Sequence, residues 1–117
     1  MGKVSTEELQ QFIGTEKYHK LNNLPIFATD GVTYFCEKAE AFWLFDEMSL
    51  DVTINKKLKE HTDFIVCKVS ANDNEATITY EDGNYNQIIK RKIDFTILDG
   101  DYKFYIIDGI ILLPSEY

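Results

Sequence analysis

The stretch Tyr102-Lys103-Phe104-Tyr105-Ile106-Ile107-Asp108-Gly109-Ile110-Ile111-Leu112-Leu113 decides the fold, because it places an apolar run on each side of an Asp-Gly pair. Asp-Gly is a strong signal for a two-residue hairpin turn, since both central residues of a type I′ turn need a positive φ. Such a turn pairs Ile107 with Ile110 and continues outward to Phe104 opposite Leu113. Side chains alternate across a strand, so both faces of this hairpin are apolar. We therefore expect both faces to be covered, by this chain or by a partner.

Upstream of the hairpin, apolar residues alternate from Phe64 onward, which predicts strands over 64–71, 76–81 and 87–95. A two-residue turn at Asp82-Gly83 is expected to pair Tyr80 with Tyr85, a favourable aromatic contact. The same turn sets Ile78 against Gln87, which is a poorer match. The register of the 76–93 hairpin is therefore open to a bulge or a longer loop.

Residues before position 64 follow a helical period instead. Ser5 and Glu8 form the pattern of a capping box at the start of an N-terminal helix. Thr29 or Asp30 caps a longer segment over 30–49, whose apolar stripe is spaced i, i+3, i+4 and i+7. This segment is either one helix or two helices that bend near Ala39-Glu40.

Helices followed by a run of strands are the α+β pattern. We expect one α+β domain over residues 1–117, with N-terminal helices packed on one face of an antiparallel meander sheet of about five strands. A chain of 117 residues buries enough surface for a core of its own. The short run Ile26-Phe27-Ala28 is either a strand or an extended lead-in to the helix.

Charge and cysteine content restrict the function. Twelve basic and twenty acidic residues give a formal net charge of -8, which disfavours direct nucleic-acid binding. The only basic triplet, Lys90-Arg91-Lys92, is interpreted as the solvated edge of a strand. No apolar run is long enough to span a bilayer, so no membrane partner is expected. Cys36 and Cys67 lie in apolar segments and indicate buried free thiols in a cytoplasmic protein.

Three stretches carry a family resemblance. The chain ends in Leu-Leu-Pro-Ser-Glu-Tyr at 112–117, and its middle contains Thr29-Asp30-Gly31-Val32 and Ala41-Phe42-Trp43-Leu44-Phe45-Asp46. These stretches resemble a family of short uncharacterised bacterial proteins, a domain of unknown function, over nearly the whole chain. The resemblance implies an accessory role in phage, plasmid or conjugative elements. The family has no established activity that could be assigned to this chain. Thr96 stands where a proline is expected after Asp-Phe.

One candidate pocket is predicted between helix and sheet. The stripe that turns Cys36 and Trp43 inward also brings Asp46 near the core or its rim, where a carboxylate is either a paired structural group or a perturbed acid in a pocket. Neither cysteine has the electropositive, accessible surroundings that a reactive thiolate needs. No catalytic residue, metal-ligand spacing or cofactor motif is identified.

The tail Ser115-Glu116-Tyr117 is the second candidate site. A peptide-like ending of this kind can dock into the groove of a partner. In the alternative, which we favour, Tyr117 folds back and seals the sheet, because the apolar run 110–113 anchors the tail only a few residues away.

The sequence therefore predicts a cytoplasmic accessory protein of a bacterial mobile element that binds an unidentified protein partner and has no enzymatic activity. Homodimerisation through the second apolar face or a sheet edge is a linked hypothesis. One alternative is a small enzyme or ligand-binding protein with a helix-sheet pocket at Cys36, Trp43 and Asp46. The other is an acidic mimic that inhibits a nucleic-acid-binding protein.

Overall fold

A computed structural model describes residues 4–11, 17–61 and 63–117. Its helices are α1 (Thr6–Leu9), α2 (Asp30–Ala39), α3 (Phe42–Ile54) and α4 (Lys56–Lys59), with a 3-10 turn at Pro114–Glu116. Its strands are β1 (Tyr18–His19), β2 (Phe27–Thr29), β3 (Ile65–Asn72), β4 (Glu75–Glu81), β5 (Gln87–Asp94), β6 (Gly100–Ile107) and β7 (Ile110–Leu112). They form one sheet in the order β1-β2-β7-β6-β3-β4-β5.

The β6–β7 hairpin forms as the sequence predicts. Ile107 pairs with Ile110, and the pairing continues to Tyr105 opposite Leu112. Asp108 and Gly109 have φ values of 48° and 82°, as a type I′ turn requires. The ladder ends at Leu112, so the expected pairing of Phe104 with Leu113 does not form.

The prediction of an antiparallel sheet of about five strands is wrong, because the sheet has seven strands and is mixed. Strand β2 pairs in parallel with β7, and β1 pairs antiparallel with β2. These two strands contain three and two residues, too few to show the alternation by which a strand is recognised in a sequence. These two strands form because β2 pairs with β7 and β1 pairs with β2, and local sequence does not show this pairing.

The prediction of a meander is also wrong, because β6 pairs with β3 and not with β5. A crossover loop, residues 95–99, carries the chain across the ends of β4 and β3. Three strand spacings make roughly 14 Å, and the six Cα steps from Asp94 to Gly100 reach about 20 Å. The Thr96 amide donates to the Asn74 carbonyl at 2.9 Å as the loop passes the β3–β4 turn. A proline at position 96 would lack this N–H group.

The two-residue turn predicted at Asp82-Gly83 is wrong. Tyr80 pairs with Ile89, and the register shifts between Tyr80 and Glu81. A longer loop joins the strands, and Tyr85 lies in it, 82% exposed. The Asp82 carboxylate accepts hydrogen bonds from the Asn84 and Asn86 amides, at 2.8 and 3.0 Å. These bonds stabilise the longer loop in place of the tight turn.

The segment 30–49 contains two helices, because Glu40 adopts a left-handed conformation with a φ of 53° and ends α2. Thr29 is the cap, and its hydroxyl accepts from the Val32 amide at 3.3 Å. Both helices pack on one face of the sheet. The core between them and the strands contains apolar side chains that are each at most 1% exposed: Phe35, Leu44, Phe45, Met48, Ile78, Phe104 and Ile111.

The second face of the β6–β7 hairpin is covered in part by the chain itself. The Tyr105 ring lies 5.1 Å from the Phe64 ring and 5.3 Å from the Tyr117 ring, measured between centroids. Ile107 and Ile110 on the same face are half-buried. Within the described ranges, no helix is both long and apolar enough to cross a membrane.

Candidate functional site

The sheet face opposite α2 and α3, termed the open face, carries a row of basic side chains. Lys68 on β3 pairs with Lys103 on β6 and with Thr79 on β4, and Thr79 pairs in turn with Lys90 on β5. These four residues, termed the lysine row, lie side by side across four strands and span roughly 14 Å. All three lysines are exposed, because strand alternation directs their neighbours to the core.

The lysine row concentrates positive charge in an acidic protein. The Lys68 ammonium lies 3.2 Å from the Glu81 carboxylate. Neither Lys90 nor Lys103 forms an ion pair with any residue in the described part of the chain. Like charges directly opposite one another on neighbouring strands destabilise a sheet, so the Lys68–Lys103 pair gives no advantage to folding. A bound anion would relieve this repulsion.

A groove of about 1000 Å³ lies over the row. Its floor is the open face of β3 to β6, and its wall combines N-terminal and C-terminal segments: Leu9, Gln10, Leu113, Pro114 and Ser115. The Ser115 hydroxyl donates to the Leu9 carbonyl at 3.3 Å, which joins the two parts of the wall. A volume of this size accommodates a small organic ligand.

The groove offers donors and apolar surface in separate places. Ser70, Thr77 and Thr79 add hydroxyl groups beside the lysines. The Ser70 hydroxyl donates to the Asp101 carboxylate at 2.8 Å, so this acid already has a partner. Ammonium and hydroxyl groups bind the oxygens of carboxylates, sulfonates and phosphates, while the leucine and proline side chains of the wall suit an apolar body.

An aromatic cluster of Phe64, Tyr105 and Tyr117 adjoins the row on the same face. The Lys103 ammonium lies 5.8 Å from the centre of the Tyr105 ring. Tyr117 is 75% exposed, although its ring packs against both other members of the cluster. An exposed ring next to ammonium groups provides a surface on which a planar group can stack.

Comparison with known proteins places this chain in a family. A model of DUF6876, described as a family of unknown function, matches residues 3–117. The chain belongs to the DUF6876 family. It is also similar to a solved structure described as a protein of unknown function from Enterococcus faecalis, with 18% identity and a TM-score of 0.56. That match covers 86% of this chain and 98% of the other. At this identity the likeness shows the fold alone. No curated protein gives a significant match.

The pocket residues predicted from the sequence lie on the helix side of the DUF6876 sheet. Cys36 is 1% exposed, and burial, followed by the charges of Asp46 and Glu37, raises the pKa of its thiol to about 12. Asp46 is exposed and accepts a hydrogen bond from the Asn22 side-chain amide at 2.8 Å. Trp43 is half-buried against the core. A ligand pocket at these three residues stays a prediction.

The tail of the DUF6876 chain lies against its own fold. Glu116 is 8% exposed, and its carboxylate accepts from the Thr29 hydroxyl at 2.6 Å, the Leu113 amide at 2.9 Å and the Gly31 amide at 3.1 Å. Its charge therefore lies at the N-terminus of α2, where a helix favours an anion. The tail and the Thr29-Asp30-Gly31 stretch, which both carried the sequence resemblance, contact each other. Docking of the tail into a partner's groove stays a prediction.

Arg91, between the two outward lysines of β5, faces the helices. Its guanidinium lies 2.9 Å from the Asp51 carboxylate and 3.1 Å from the Glu47 carboxylate on α3. Asp51 also accepts from the buried Tyr80 hydroxyl at 2.6 Å. Burial, with the charge and hydrogen bond of nearby groups, raises the pKa of Tyr80. This polar cluster fixes α3 against β4 and β5.

Reasoning from the sequence missed the lysine row. The sequence predicts that Lys90 belongs to a solvated edge, and Lys68 and Lys103 lie in strands that are far apart in the sequence. The sequence offers one indication of the row, because each of these lysines stands at a position where the alternation of its strand directs the side chain to solvent. Their alignment depends on the register of β3 with β6, which local sequence does not specify.

Proposed function

We propose that this DUF6876 protein is a binding protein whose groove holds a small organic anion with an apolar or aromatic body. The observation that carries the proposal is the presence of Lys90 and Lys103 over the groove, without carboxylate partners in the described chain, in a protein of net charge -8. Carboxylates are abundant in this sequence. Two ammonium groups that have no carboxylate partner in the described chain are therefore better explained by a ligand than by a role in folding.

The charge around the row favours a small ligand over a polyanion. The row of residues nearest the crossover loop pairs Glu75 with Asp94, two carboxylates, and Glu81 lies on the other side of the lysine row. Along β4, Glu81 and Glu75 lie two and four residues from Thr79, roughly 7 and 13 Å, so carboxylates flank the lysine row on both sides and repel a polyanion wider than the row. An ammonium-lined face also argues against the mimic hypothesis, because a mimic of nucleic acid presents carboxylates to its partner.

The groups that line the groove suit the binding of an anion. Among the described residues, the lining provides ammonium groups, hydroxyls, the Asp101 carboxylate and apolar side chains. Such ammonium and hydroxyl groups bind and orient an anion. An accessory role in a bacterial mobile element rests on the sequence resemblance.

A role in protein docking, the first function predicted from the sequence, is a second candidate. The feature that favours it is separate from the groove, since it is the crossover loop, where Phe95 is 96% exposed. Exposed aromatic residues of this kind are typical anchors of protein interfaces.

The groove is tested with anilinonaphthalene sulfonate, which joins one anionic group to an aromatic body. Fluorescence titration measures its Kd for the native protein and for the double variant Lys90→Gln with Lys103→Gln. We expect the Kd to rise about fivefold, at roughly 0.5 kcal/mol for each lysine. Added salt weakens binding to the native protein more than binding to the variant.

The matched control is Lys56→Gln with Lys59→Gln on α4, which changes the net charge by the same amount at exposed positions away from the groove. We expect this control to bind like the native protein. Amide chemical shifts should change on β3 to β6, and thermal melts should show that both variants remain folded. An equal loss in the two double variants, or shift changes confined to another surface, contradicts the proposal.

A further inference from the structure

The crossover loop has an inverted pattern of burial. Thr96 and Leu98 are 6% and 2% exposed, whereas Phe95 and Ile97 are 96% and 59% exposed. Within the described chain, Phe95 is the most exposed of the large apolar side chains. Burying Phe95 in place of Thr96 would gain more from the hydrophobic effect, so folding alone does not account for this arrangement.

Hydrogen bonds hold the loop in this orientation. The Thr96 amide donates to the Asn74 carbonyl at 2.9 Å, and the Thr96 hydroxyl accepts from the Leu98 amide at 3.1 Å. Phe95 itself has a φ of 59°, a left-handed conformation that disfavours a large L side chain. The backbone thus bears strain while it presents an aromatic ring to solvent, and strain of this kind concentrates at functional positions.

The surroundings of the loop are acidic. The loop itself and the strand ends beside it carry five carboxylate residues: Asp73, Glu75, Asp94, Asp99 and Asp101. Among the described residues of this end, Lys92 is basic, and its ammonium lies 3.3 Å from the Glu75 carboxylate. An apolar projection inside an acidic rim is repelled by anionic membrane lipids. It complements an apolar pocket whose rim is basic.

We propose that Phe95 and Ile97 form a docking tip that inserts into an apolar pocket, rimmed by lysine or arginine, on a different protein. This inference deepens the protein-docking function and is independent of anion binding in the groove. A loop whose hydrogen bonds already hold its anchors facing outward loses little conformational entropy on binding. The tip therefore acts as a preorganised interface of small area with two central anchors.

Site-specific photocrosslinking in cells of the source organism tests the tip. The photoreactive residue p-benzoylphenylalanine replaces Phe95 in the full chain, and the matched control carries it in place of Phe42, a phenylalanine of α3 that is 43% exposed. Mass spectrometry then identifies the crosslinked protein and the crosslinked position. We expect a discrete adduct from position 95 whose partner position lies in an apolar pocket with basic neighbours.

Two changes in the background of the Phe95 probe sharpen the result. Ile97→Ser removes the second anchor, and Asp94→Lys reverses one charge of the rim. We expect each to lower the yield of the adduct at least about fivefold, as truncation of an interface anchor does. A charge reversal on the opposite end of the sheet, Glu60→Lys, should leave the yield unchanged.

Four outcomes overturn the proposal. They are an adduct of two copies of this chain, an adduct that maps to a polar or acidic surface, the same adducts from positions 95 and 42, and no adduct while the melting temperature stays native. Because none of these readouts involves the lysine row, failure of the docking tip leaves the result of the anion titration intact.

Discussion

At the scale of single residues, the start of α2 depends on a side chain from the other end of the described chain. Gly31 lies under Leu113 and Glu116, and the Glu116 carboxylate accepts from its amide. A Cβ at position 31 would lie 2.6 Å from Leu113 Cδ1 and 2.8 Å from Glu116 Oε1. Only glycine lets the backbone at position 31 come this close to Leu113 and Glu116. The start of α2 and the tail therefore form one structural unit.

We therefore expect Gly31→Ala to lower the free energy of unfolding by about 2 kcal/mol, because the added methyl group overpacks the contact. Urea denaturation measures the change. Gly83→Ala is the comparison, since its Cβ would meet one atom of the half-buried Phe64 ring at 3.3 Å, and we expect a loss well below 1 kcal/mol there. Equal losses at the two positions would show that Glu116 and Leu113 tolerate the methyl group.

Phe95 gives a second prediction at this scale. Its left-handed backbone favours glycine, so Phe95→Gly should be more stable than Phe95→Ala by about 1 kcal/mol. Thermal melts of the two variants at one protein concentration measure the difference. If Phe95→Ala is the more stable variant, the loop does not hold the left-handed conformation in solution.

At the scale of elements, short-range signals were reliable where a side chain acts on its own backbone. The Asp108-Gly109 turn, the Thr29 cap and the Ser5–Glu8 capping box are confirmed, and the Glu8 amide donates to the Ser5 hydroxyl at 3.0 Å. The tight turn at Asp82-Gly83 failed for the same kind of reason, since the Asp82 carboxylate binds amides beyond that turn.

Sheet order was not accessible from the sequence. The parallel pairing of β2 with β7 joins Phe27 to Ile110, and its few residues have no periodicity of their own. The candidate site depends on the same kind of information, because Lys68 and Lys103 become neighbours only through the pairing of β3 with β6. The sequence shows which residues are lysines, whereas the lysine row exists only in the folded sheet.

The polar cluster between α3 and the sheet gives an element-scale prediction. Tyr80→Phe removes one donor to the buried Asp51 carboxylate, which keeps Arg91 as a partner. We expect the free energy of unfolding at pH 7 to fall by about 2 kcal/mol, as for other hydrogen bonds to charged groups. Denaturation by urea measures the loss, and an unchanged midpoint would mean that the cluster does not stabilise α3.

Tyr80→Phe also tests how the stability of the protein depends on pH. The raised pKa of Tyr80 means that its contribution to stability is complete below the unfolded value of about 10 and is lost as the pH rises above it. The native protein should therefore lose stability between pH 10 and 12 more steeply than Tyr80→Phe. Urea titrations across this range test the prediction, and parallel curves would contradict it.

At the scale of the whole molecule, the edges of the sheet bear on self-association. β5 presents Lys90 and Lys92 at one edge, and β1 at the other edge contains two residues, so both edges discourage strand pairing. A homodimer, the linked hypothesis drawn from the sequence, would then use the half-buried Ile107 and Ile110 of the open face. Ile110→Lys should dissociate it.

Light scattering coupled to size exclusion, at rising concentration, measures the mass of the native protein and of Ile110→Lys. We expect a dimer of the native protein and a monomer of the variant. A strict monomer at high concentration for the native protein contradicts homodimerisation through this face.

The closure of α2 by Glu116 has a consequence for how the molecule is made. The Thr29 hydroxyl and the Glu116 carboxylate are separated by 87 positions, and ribosomes add about 5–20 residues each second. The amino end of this helix therefore waits roughly 4 to 17 s during synthesis for the carboxylate and for the β7 strand that β2 needs. Until then the apolar residues of α2 lack the cover that β7 gives them in the folded protein.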